Sequence, residues 1–147
     1  MEREIKFRGK QVDNGEWFYG YYFFNGNEHV IVTNMGFTGK WVQVIPETLG
    51  QFTGLKDKKG VDVYEGYVIS FDRKVSLYKN WPFTIVGVVH FGEGKYEVET
   101  KKVINKDFNN KSSIHFGVKV MEWIHLPEFH KSEVIGNIHE SPELLGS

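Results

Sequence analysis

A chain of 147 residues with no cysteine and a formal charge of −1 is long enough to bury a core without covalent staples, and it excludes disulfide frameworks and thiolate metal sites. No apolar run approaches the roughly 20 residues that cross a bilayer, and the near-neutral charge lacks the strong basic balance of an ordinary nucleic-acid-binding domain. The absence of alanine beside 17 valines, 16 glycines and a 16% aromatic share leaves little helix-forming material, so an all-β fold with minor α is expected.

In chain order, Glu4 to Arg8 alternates polar and apolar residues and ends at Gly9, and Asp13-Asn14-Gly15 turns it into a second strand over Glu16 to Phe24. Asn25-Gly26-Asn27 turns again, His29 to Thr33 returns, and Lys40 to Val44 follows, so the first third reads as a β-meander. The stretch Ile45 to Phe71 (IPETLGQFTGLKDKKGVDVYEGYVISF) then strings tight turns together: Pro46 presets φ, Gly50 and Gly54 admit positive φ, and Asp57 to Gly60 is a reverse turn. Val61 and Val63 share a face of a short hairpin, Glu65-Gly66 interrupts it, and Tyr67 to Phe71 is a β-branched and aromatic strand. Phe83 to Phe91 reads as a buried strand bent at Gly87, and Gly92-Glu93-Gly94 turns it into Lys95 to Glu99, a meander of the kind that builds small barrels. Lys101 to Ser113 reads as an exposed loop, Val118 to Ile124 and Ser132 to Gly136 as the last strands, and Ser141-Pro142-Glu143-Leu144-Leu145 as a capped helical turn.

The central stretch, together with KFRGK at Lys6 to Lys10, GEWFYG at Gly15 to Gly20 and EVIGNIHESPELL at Glu133 to Leu145, resembles the YopX family over nearly the whole chain. That resemblance implies a small β-rich phage or prophage protein of no established activity, with an SH3-like barrel in its second half. Where the family usually has aspartate after Glu65-Gly66, this chain has Tyr67. The expected organisation is one domain over 1–147, with a possible N-terminal meander over 1–52 packed on a barrel with a C-terminal turn over 53–147 and the Ile45 to Tyr67 segment joining them. Pro46, Glu47, Gly50, Gly54, Gly60, Glu65 and Gly66 are expected to serve shape.

Chemistry-bearing patterns are weak. Of six histidines (His29, His90, His115, His125, His130, His139) only His125 and His130 lie close in sequence, without metal-ligand spacing. Glu47 and Glu65 are an acid pair whose simpler role is bonding turn backbone, and a hydrolase reading would need both to converge with a histidine. No Gly-x-Ser-x-Gly elbow and no phosphate-cradling glycine spacing occurs. No catalytic residue, cofactor or metal is expected.

Aromatics are the remaining resource. Trp17, Phe18, Tyr19, Tyr21, Tyr22, Phe23 and Phe24 place rings on both faces of one strand, and Trp17, Tyr19, Tyr21 and Phe23 are the candidate interface. Beside Arg8, Lys10 and Lys40 such rings can also stack bases, although burial in a core is the commonest use of a ring. Residues 53–121 carry 12 basic and 8 acidic side chains, which offers Lys56, Lys58, Lys59, Arg73, Lys74, Lys79, Lys101 and Lys102 as candidate phosphate contacts. The expectation is therefore a cytoplasmic, non-enzymatic module that binds a host or phage protein and can self-associate, with nucleic acid as the alternative partner and no membrane.

Overall fold

The computed structural model describes residues 4–33, 38–75, 81–105 and 130–146. The described elements are strands, apart from short 3-10 turns. In chain order they are β1 (Phe7–Lys10), β2 (Trp17–Phe24), β3 (His29–Val32), β4 (Trp41–Gln43), a 3-10 turn (Pro46–Thr48), β5 (Gly50–Lys56), β6 (Asp62–Tyr64), β7 (Tyr67–Val75), β8 (Trp81–Gly92), β9 (Lys95–Asn105), β10 (Glu133–Asn137) and a final 3-10 turn (Pro142–Leu145). They form a six-stranded sheet in the order β4-β3-β2-β1-β5-β6 and a four-stranded sheet in the order β10-β7-β8-β9. The pairings β1–β2, β1–β5, β2–β3, β3–β4, β7–β8, β8–β9 and β7–β10 are antiparallel. The all-β expectation from valine, ring and glycine content is what the fold shows.

The chain divides into two compact units, Met1–Gly54 with Asp62–Glu65, and Leu55–Val61 with Gly66–Ser147. Each of the three crossings falls inside the Ile45 to Tyr67 segment.

In the first unit the β1–β4 meander curls back on itself. Beyond the stretch where β1 pairs with β5, Gln11 bridges to Val44, and the Ile45 N–H donates to the Lys10 carbonyl at 2.8 Å. Glycine makes the curl possible. A Cβ on Gly9 would lie 3.1 Å from Val44 Cβ, and one on Gly20 would lie 2.1 Å from the Val32 carbonyl oxygen. Gly9 is therefore not a strand end, as its residue type suggests, but an interior position of β1 where a neighbour needs the space. Thr48 fastens the turn after the meander, its Oγ1 accepting from Lys10 N–H at 2.8 Å and donating to the Ile45 carbonyl at 2.7 Å. Val30, Ile31, Val32, Val44, Phe52, Val63 and Tyr64 are this unit's buried apolar residues among those described.

In the second unit β7, β8 and β9 form the expected meander, with a register irregularity at Val86/Gly87 where the sequence predicts a bend. Val68, Val86 and Val88 make its core cluster, with Ile104, Leu144 and Leu145 packed against it. β9 runs to Asn105, so residues 101–105 are strand and not the start of a loop. Lys102, Val103 and Ile104 pair with Val86, Ile85 and Thr84, and that long ladder overrides their polar composition. The final turn forms without a side-chain cap from Ser141, whose carbonyl instead accepts the Leu144 N–H at 3.1 Å. Residues 106–113 of the expected loop and the expected strand at Val118 to Ile124 lie outside the described residues, as do His115, His125 and Lys79.

Candidate interaction surface

Strand register decides which rings share a face, because directly paired residues of an antiparallel ladder point the same way. Arg8 pairs with Tyr19 and Lys10 with Trp17. Tyr21 pairs with Val32, which pairs with Trp41, and Phe23 pairs with Val30, which pairs with Gln43. Trp17, Tyr19, Tyr21 and Phe23 therefore follow one another along one face of β2, and Trp41 joins the row of Tyr21 from two strands away. Val30 and Val32 are buried between the flanking side chains, whereas Tyr19, Tyr21, Phe23 and Trp41 remain 45%, 45%, 42% and 62% exposed. On the opposite face Phe24 stands over His29 with ring centroids 4.9 Å apart, and Tyr22 Oη shares a hydrogen bond with His29 Nδ1 at 2.9 Å.

The β1 end of the same face is built differently. Arg8 is 1% exposed, with its guanidinium 3.9 Å from the Trp17 ring and 5.7 Å from the Tyr64 ring. A planar, weakly hydrated cation between rings suits burial better than an ammonium would. Tyr19 packs edge-on against Tyr64 at 5.6 Å. Lys6 Nζ stands 4.4 Å over the Phe52 ring, 2.6 Å from Asp62 and 3.3 Å from Glu4. Burial alone would lower the Lys6 ammonium, but the hydrogen bonds to the Asp62 and Glu4 carboxylates prevail and push it up to about 12. Lys10 and Lys40 lie over Trp17 and Phe18 at 5.5 and 5.4 Å. Of the four rings named from sequence, Trp17 thus carries cations of its own chain. Among the described residues none stands over Tyr21, Phe23 or Trp41.

The candidate phosphate contacts that the structure describes lie on several elements. Lys58 and Lys59 both bind Glu133, at 2.6 and 2.5 Å, and hold its carboxyl at about 2. Lys101 binds Glu99, Lys56 lies exposed at the end of β5, and Lys102 is half-buried on β9. Arg73 and Lys74 belong to β7, but their side chains lie outside the described residues. The structure joins Lys58 and Lys59, and it joins them through an acid.

The signature residues occupy backbone positions. Pro46 opens the 3-10 turn with Glu47 exposed in its first turn. Glu65 Oε2 accepts the Gln51 N–H at 2.8 Å. Gly54, Gly60 and Gly66 have φ of 85°, 83° and 76°, the left-handed region, as the sequence predicts for Gly54. Gly50 is different, lacking positive φ: a Cβ there would meet the Glu65 carbonyl oxygen at 2.6 Å, so close backbone approach is what requires glycine. Val61 does not share the buried face of Val63. It is exposed in the turn, while Val63 is fully buried.

Three features escape sequence reading. Trp41 enters the ring face only through the β3–β4 register, although its alternation with Val42 was a visible signal. The Arg8 stack needs Tyr64, 56 positions away. Asp57, legible as a turn residue, also receives a third backbone donor from β10: Oδ1 accepts from Lys59 and Val61, and Oδ2 accepts from Val134 at 3.0 Å. Among the described residues no three His, Asp or Glu side chains form a group able to hold a metal ion, and no helix is long and apolar enough to cross a membrane.

A family model described as YopX protein matches residues 6–146. The crystal structure of protein EF1440 from Enterococcus faecalis resembles this fold with a TM-score of 0.50 at 22% identity, covering 98% of this chain and 99% of that one. No curated protein matches the sequence.

Proposed function

This chain belongs to the YopX family, and from that premise we propose that it is a non-enzymatic interaction module that binds another protein through the outer ring face of β2. The observation that carries this reading is the unbroken sequence of half-exposed rings at Tyr19, Tyr21 and Phe23, extended by Trp41. Four rings of about 200 Å² each, roughly half exposed, leave about 400 Å² of apolar surface in one patch, at the upper end of what a monomer keeps in water. The backbone roles of the signature residues support architecture over chemistry for that segment. Work in the cytoplasm of a host cell fits the lack of cysteine, phage or prophage origin is what the family resemblance implies, and an SH3-like arrangement of the second half is consistent with the β7-β8-β9 meander. Self-association through the same rings belongs to this reading.

Capture from a host lysate tests it. The wild-type chain and the Tyr21→Ala and Phe23→Ala variants are compared, with circular dichroism confirming the fold and the mass in solution reporting self-association. The expected result is a partner, or a second copy, that is retained by the wild type and lost by both variants. Identical retention by folded variants overturns the reading.

A further inference from the structure

Resting on the interaction reading above, the chemistry of the ring face selects a class of partner. The first unit carries 5 basic and 8 acidic side chains, a formal −3, although the whole chain is at −1. Among the described residues its cations are already placed: Lys6, Arg8, Lys10 and Lys40 each lie over a ring, and Lys6 answers two carboxylates, while Arg3 lies outside the described residues. Among the described residues the chain thus covers part of its aromatic surface with its own cations and sets none over Tyr21, Phe23 or Trp41, within a unit whose excess charge is negative. An aromatic face attracts cations through the ring quadrupole, most strongly at tryptophan.

Geometry narrows the shape of the occupant. Alternate positions of β2 repeat every ~7 Å, the same repeat as the alternate side chains of an extended chain. The patch of about 400 Å² is about half the ~800 Å² that each side of a stable complex buries. A short extended segment fits that size, and a constitutive dimer does not. Single-stranded nucleic acid has a comparable repeat, but phosphates approaching a unit of excess negative charge are repelled.

We infer that the rings of Tyr19, Tyr21, Phe23 and Trp41 take an extended segment of a partner protein that bears arginine or lysine at alternate positions. Rings of β2 then meet successive cationic side chains, as Trp17 already meets Arg8 within the chain.

The full chain is titrated with three synthetic probes of matched length: a peptide alternating arginine and threonine, its glutamate–threonine counterpart, and oligothymidine. Ring proton resonances and tryptophan fluorescence report binding. The expected result is saturable binding of the arginine peptide alone, weakened about tenfold by Trp41→Ala and by Tyr21→Ala. Tyr21→Leu, which keeps apolar area and guards against a variant that fails to fold, should weaken it nearly as much. Binding of the arginine peptide that survives all three replacements is general charge attraction and overturns the inference, as does equal binding of the glutamate peptide, preference for oligothymidine, or no binding. If ring variants lose a captured host partner while the arginine peptide never binds, the interaction reading stands and the cationic partner falls. If neither responds, both fall.

Discussion

The Arg8 guanidinium lies 3.9 Å from the Trp17 ring, and this one stack ties β1 to β2 on the face that carries the exposed rings. Because Arg8 is buried there, its replacement tests packing and cation–π attraction together. Arg8→Lys should lower stability by about 1–2 kcal/mol, since an ammonium loses the planar stack and tolerates burial poorly. Urea midpoints of the two proteins check this. An unchanged midpoint would show that the stack contributes nothing.

Glycines of the signature should respond to alanine in two grades. Gly50→Ala places a Cβ against the Glu65 carbonyl, a backbone clash expected to cost about 2–3 kcal/mol. Gly60→Ala meets open space and suffers only its positive φ, costing about 1 kcal/mol. Thermal melts of both variants give the order directly, and the reverse order would contradict the backbone role assigned to Gly50.

Acid should loosen the Asp57–Glu133 region. Burial alone would raise the Asp57 carboxyl, but backbone N–H groups of Val134, Val61 and Lys59 hold it below its ordinary value, while Lys58 and Lys59 hold Glu133 at about 2. Both groups are depressed on folding, so their stabilisation is complete above the ordinary carboxylate range and is lost as pH falls through the folded values, toward about 2 for Glu133. Protection of the Val134 and Val61 amides from exchange, relative to their intrinsic rates at each pH, should fall across that window. Added salt should flatten the Glu133 contribution, whose lysines are exposed, and leave that of Asp57.

Glu97 is a buried carboxylate with Lys95 Nζ at 3.0 Å and His90 Nε2 at 3.6 Å. Lys95→Ala leaves that charge with less compensation and should cost about 1–3 kcal/mol, whereas Glu97→Met should be neutral or stabilising, because an apolar side chain of similar volume avoids the desolvation. Equilibrium unfolding of the two variants decides the order.

What was legible in the chain follows from the range of each signal. Turns are local, so the Asn14-Gly15 hairpin, the Asp57 to Gly60 turn and the bend at Gly87 could be read from neighbours. Ring alternation on β2 was legible for the same reason. The roles of Gly9 and Gly50 are not legible locally, because their need for glycine comes from Val44 and from Glu65, residues that only the fold brings near. The polar stretch after Thr100 has the composition of a loop, and its strand identity rests on pairing with β8, which no local propensity carries. Within the basic middle, the pairing of Lys58 and Lys59 with Glu133, more than 70 positions away, is likewise a product of the fold and not of local sequence.

The most direct measurement is the calorimetric affinity of the captured partner for two folded variants, Tyr19→Ala/Tyr21→Ala/Phe23→Ala and Lys58→Ala/Lys59→Ala. With the ring face as the working surface, the first should lose at least about tenfold in affinity and the second should stay within about twofold of the wild type. Full affinity in the ring variant, with loss in the lysine variant, would contradict it.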